Sequence, residues 1–130
     1  MKPYSKTVSR TITHRLPVLA YCFGIFQQSS YPAILSEPVF PHFDKLVHFL
    51  VYAFLAMLCV RALQAEKPFW PPLRITLIAV AFCWAFGLSD EIHQAFVPLR
   101  DASIFDFAAD CLGSLSGAYF YLNVRTPRTS

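Results

Sequence analysis

Four apolar stretches alternate with short, proline-marked polar ones along the chain. The first, about Ile12 to Gln28, is the shortest and is polar at its start. The second runs from Lys45 to Leu63 (KLVHFLVYAFLAMLCVRAL), the third from about Leu73 to Phe96, and the fourth from about Ser103 to Leu122. As a helix the second is about 28 Å long, enough to cross a ~30 Å hydrocarbon core. None of the four shows the period-two alternation of a barrel strand. Nine of the ten prolines fall between or beyond these stretches, and Pro17 sits near the start of one, where a missing N–H does little harm. All four glycines lie inside them, as membrane helices tolerate. The pattern predicts a single domain, residues 1–130, of all-α membrane class with four transmembrane helices.

Composition agrees. Charged residues make up 15% of the chain, against about 25% in an ordinary globular domain, and mean hydropathy is +0.44. Cys22, Cys59, Cys83 and Cys111 fall one to a stretch with no CxxC spacing, so they read as small buried hydrophobes, not as a disulfide or zinc framework. No small-x-small cleavage site follows the first stretch, which argues against a secretory signal.

Charge placement sets the orientation. Lys2, Lys6, Arg10, Arg15, Arg61, Lys67, Arg74, Arg125 and Arg128 fall on one side, leaving only Lys45 and Arg100 for the other. By the positive-inside rule both termini are expected in the cytoplasm, with the protein multi-pass. The acids divide the opposite way. Glu66 alone is inside, whereas Glu37, Asp44, Asp90, Glu91, Asp101, Asp106 and Asp110 map to the outer side or the outer half of a span. The net +3 averages two opposite faces. The basic face belongs to topology and anionic lipid, with no nucleic-acid partner implied.

The outer half holds the chemistry. Asp44, His48 and Tyr52 are spaced i, i+4, i+8, and Lys45 stands three before His48, so the four share one helical face. Asp90, Glu91 and Gln94 close the third stretch, with Glu91 and Gln94 on one face at i, i+3. Arg100 lies in the turn that follows. Asp106, Asp110, Gly113 and Gly117 then run at +4, +3, +4 along the fourth, an acidic seam that becomes a small-xxx-small pair suited to close helix packing. Each piece has a plainer account too. Ser103 with Asp106 fits a capping box, Asp44 fits a helix start, and Lys45 and Arg100 fit snorkelling anchors. His93 lies off the Glu91–Gln94 face and Asp101 reads as solvated loop. Asp110 has no such account, because a carboxylate about 10 Å down a span costs up to a few kcal/mol unless paired, protonated or solvated. The residues are therefore expected to line one pocket. His48, Glu91 and Asp106 are its candidate acid–base residues. No HExxH-type motif fixes a metal geometry, so no metal or cofactor is assigned. The negative balance leans toward a cationic or amine-bearing ligand, a metal, or shared protons.

DK..H...Y at Asp44 to Tyr52, DE..Q.F.P.R at Asp90 to Arg100, and D...D..G...G at Asp106 to Gly117 together resemble the VanZ-like family of small bacterial membrane proteins. Asp110 departs from that pattern, which usually has asparagine there. The resemblance implies a cell-envelope role, its namesake being associated with low-level resistance to the glycopeptide teicoplanin. It implies no assigned reaction. The expectation is an envelope protein with an acidic outer-leaflet pocket, whose partners are the lipid bilayer and either a lipid-linked cell-wall precursor or a glycopeptide. The alternatives are a membrane-embedded enzyme using His48, Glu91 and Asp106, and a small structural subunit.

Overall fold

The computed structural model describes residues 3–32 and 39–125, with side chains from residue 8 onward. Lys2, Glu37 and Arg128, and the Lys6 side chain, lie outside the described residues. Four helices and no strands are present among them: α1 (Pro3–Ser29), α2 (Phe43–Glu66), α3 (Pro72–Gln94) and α4 (Ile104–Arg125).

The helices outlast the hydropathy pattern at several ends, most of all in α1, which begins nine residues before the expected Ile12. Hydropathy marks where a helix is apolar, whereas a solvated helical turn needs only compatible backbone propensities. α3 opens on Pro72 in its first turn, where a missing N–H costs nothing. Two connections turn on left-handed residues, His42 (φ 65°) before α2 and Leu99 (φ 64°) between α3 and α4. Both flank the polar end of the bundle.

α2 is the central helix and shares its most extensive interface with α4. The reason is steric. A Cβ on Gly113 would run into the Phe49 backbone carbonyl, and one on Gly117 into that of Ala53. Bare glycine at both positions lets the two backbones touch. The rest of the core is built from small or β-branched residues such as Ala56, Cys59, Val60, Ala79, Cys83 and Ala118, with Tyr52 and Leu55 as its bulkiest members. α1 lies against α2 through the Tyr21 hydroxyl, which donates to the Val51 carbonyl at 3.1 Å, and through an edge-on Tyr21–Phe54 contact. At the end holding the termini, the Arg15 guanidinium forks onto the Glu66 carboxylate (Nη2–Oε2 2.6 Å).

α2 and α3 are long and apolar enough to cross a membrane. α1 and α4 fall short of that measure because polar residues dilute their windows. In α4, however, part of the dilution comes from Asp106, Asp110 and Ser114, all of them buried, while Phe105, Leu112, Leu115 and Phe120 are exposed. Four carboxylates thus lie inside one end of the bundle, beyond its apolar core, while Leu50, Phe54, Leu77 and Phe82 lie outside. Water-soluble folds distribute these residue types the other way round.

Candidate functional site

The antiparallel order brings the start of α2, the end of α3 and the start of α4 to one end of the bundle, and the polar residues collect there. Burial deepens along the α2 face. The Asp44 side chain is 56% exposed, Lys45 31% and His48 15%, while Tyr52 is fully enclosed.

Lys45 Nζ bridges the rim, donating to Asp44 Oδ2 at 2.8 Å and to Asp106 Oδ1 at 3.0 Å. One turn further in, His48 Nδ1 lies 2.9 Å from Asp110 Oδ1 and 3.8 Å from Glu91 Oε1, while its Nε2 is 4.0 Å from Asp106 Oδ2. Asp110 has no exposed surface at all. It fits because Gly87 is bare: a Cβ there would sit 3.2 Å from Asp110 Oδ2 and 3.1 Å from the Tyr52 ring. Glu91 is held from the other side, its Oε2 accepting the Ser103 N–H at 2.9 Å. Three buried oxygens of the group have no hydrogen-bond partner among the described residues: Tyr52 Oη, Glu91 Oε1 and Asp110 Oδ2. Buried polar atoms are rarely left so.

Two plainer readings of the sequence end here. Asp106 does not complete a capping box, since its carboxylate turns to Lys45 and His48. The Ser103 N–H that it would have bound is taken by Glu91 from α3, so a cap has become an interhelical tie. Asp44 does not cap α2 either. It lies inside the first turn, where it suits the helix dipole and holds Lys45.

Three expected pocket residues turn elsewhere. Arg100 does not face the acids; its Nε donates to the Tyr31 carbonyl at 2.9 Å and its Nη2 to that of Gln28 at 2.8 Å. The last carbonyls of a helix lack intrahelical donors, and a guanidinium fork satisfies two at once. Gln94 does not pair with Glu91 across i, i+3. It donates to Asp90 Oδ2 at 3.2 Å and to Ser29 Oγ at 3.3 Å, forming a second buried network toward α1. Asp90 thus serves the α1–α3 contact and makes no hydrogen bond to His48. His93 stacks on Phe26 and meets Ser30 Oγ at 3.1 Å, outside the cluster. Sequence reasoning overlooked Ser29, Gly87, the Ser103 backbone and Trp84, whose indole donates to Ser114 Oγ at 3.0 Å. The polar QQSS end of the first stretch was the available signal for Ser29.

The inner group is thus His48, Glu91, Asp106 and Asp110, with Tyr52 beneath and Lys45 at its mouth. Four carboxylates including Asp90 are buried here against one ammonium and one imidazole. Such an excess calls for protons or a cation. No curated protein and no solved structure matches the chain. The VanZ/LLP1 family model matches residues 3–125, spanning all four helices and every residue of the cluster, and the chain belongs to that family.

Proposed function

We propose that the protein crosses the bacterial cytoplasmic membrane four times with both termini inside, and that its acidic cluster opens toward the outer leaflet. There it binds an amine-bearing component of the envelope, a glycopeptide or the peptide of a lipid-linked wall precursor, and lowers susceptibility to glycopeptides of the teicoplanin type. The observation that carries this reading is the inverted burial pattern, with carboxylates converging inside a bundle whose outer surface is apolar. The distribution of Lys and Arg supplies the orientation. Family membership supports the envelope role. Asp44 and Asp106 flank the mouth, where an incoming ammonium would compete with Lys45 for the same oxygens.

The test exchanges charge without changing shape. E91Q and D106N are expressed in a glycopeptide-susceptible host, and membrane accumulation is measured beside teicoplanin tolerance. A hydrogen bond between charged groups contributes about 1.5–3 kcal/mol, roughly ten- to a hundredfold in affinity. Both variants are expected to accumulate normally while tolerance falls to that of cells carrying an empty vector. Unchanged tolerance would sink the proposal.

One observation favours a second reading, a membrane-embedded enzyme. His48 is fixed by Asp110 through Nδ1 and turns Nε2 toward the mouth, as a general acid–base histidine requires. Turnover separates the two readings, because a binder holds its ligand in stoichiometric amounts only.

A further inference from the structure

The inner half of the cluster has a geometry that hydrogen bonding does not explain. Two carboxylate oxygens from different helices, Asp110 Oδ1 and Glu91 Oε1, converge on the same ring nitrogen, His48 Nδ1. A ring nitrogen carries at most one proton, and the 2.9 Å contact to Asp110 uses it. Glu91 Oε1 then faces the same atom at 3.8 Å with nothing to accept, although its carboxylate is anchored by the Ser103 N–H. Asp110 Oδ2, fully buried, is also without a partner. A cation held by His48 Nδ1, Asp110 Oδ1 and Glu91 Oε1 would give the unpartnered Glu91 oxygen a partner.

We propose that His48, Glu91 and Asp110 form a binding site for one divalent metal ion of the Zn²⁺ or Mn²⁺ type. Each contributes one donor atom, and the three atoms lie within 4.8 Å of one another. Adjacent donors around an ion with bonds of about 2.0–2.2 Å sit about 2.8–3.6 Å apart in octahedral to tetrahedral shells. The 2.9 Å His48–Asp110 separation lies in that range and the 3.8 Å separation to Glu91 lies just outside it. One imidazole with two carboxylates and no thiolate suits a borderline or hard divalent ion, with water or ligand completing the shell. The donors come from α2, α3 and α4, so the ion ties three helices together. The direction left open leads past Asp106 and Lys45, where an envelope headgroup would reach it. The site stands on its geometry and is independent of any effect on drug tolerance.

The test uses the full-length protein purified in detergent, stripped with a chelator, and dialysed against Zn²⁺ or Mn²⁺ in the micromolar range. The wild type is expected to retain about one equivalent per chain. H48Q, E91Q and D110N are each expected to weaken retention about tenfold or more, whereas D101N, which removes an acid from the exposed turn, leaves it unchanged. Co²⁺ loading provides a second measurement: visible ligand-field absorption in the wild type, lost in H48Q. Should the variants fail to fold, the wild-type stoichiometry and Co²⁺ spectrum decide by themselves. Wild type that retains neither ion, or well-folded H48Q and D110N that retain as much as wild type, would overturn the site.

Discussion

Valine at Gly117 is expected to abolish accumulation of the folded protein, whereas alanine at Gly24 is expected to leave it unchanged. At Gly117 any Cβ enters the Ala53 carbonyl group, a backbone obstacle that no rotamer change can move aside. α2 and α4 would have to separate, opening the largest interface in the bundle. Overpacking a well-filled core costs about 1–3 kcal/mol when side chains can yield. With backbone on both sides, G117V and G113V are expected at or above the top of that range. Gly24 has nothing within 4 Å of the position a Cβ would take, and its helix gains in propensity. Membrane abundance and detergent melting of G24A, G113V and G117V check the contrast. G117V behaving like G24A would mean that α2 and α4 do not meet here.

Arginine placed at a lipid-facing position of the outer surface is expected to impede insertion. Leu115, midway along α4, is 43% exposed. In water, changes at such positions fall within about 0.5 kcal/mol of neutral. Facing lipid at the centre of a span, arginine costs roughly 2.5–3.5 kcal/mol on insertion scales. L115R is therefore expected to deplete the membrane fraction severalfold, and D101R in the exposed turn is not. L115R carries particular weight, because the average hydropathy of α4 conceals its apolar outer face. Normal membrane yield of L115R would contradict the reading of α4 as a span.

The number of helices and their apolar cores were legible because long apolar runs bounded by prolines leave a simple compositional trace. Helical spacing also assigned faces: Asp44, Lys45, His48 and Tyr52 do descend one side of α2. Partner choice was not legible. Spacing gives the face of a helix but not the neighbour it turns toward, and that depends on rotations set by Gly87, Gly113 and Gly117. Glu91 and Gln94 share an edge of α3 yet serve different networks, one reaching Ser103 and the other Ser29. Arg100 looked like a cation for the acids, but unpaired carbonyls at the end of α1 are nearer and equally in need of a donor. A metal site assembled from three helices leaves no sequence motif, because its donors are 43 and 19 residues apart along the chain.

Asp110 is the most deeply buried carboxylate of the cluster, which makes it a sensitive probe of what the cluster is for. If the polar residues existed to hold helices together, removing a charge would weaken the bundle. If they exist to bind, the bare cluster is a burden on stability: carboxylates crowd one another without enough cations, and neutralising one relieves that repulsion. The decisive measurement is the melting temperature of chelator-stripped wild type, E91Q and D110N in the same detergent. The binding account predicts that both variants melt no lower than wild type, and higher by a few degrees if relief amounts to about 1 kcal/mol. Variants that melt several degrees lower would show that the carboxylates serve as structural glue, and would contradict the account.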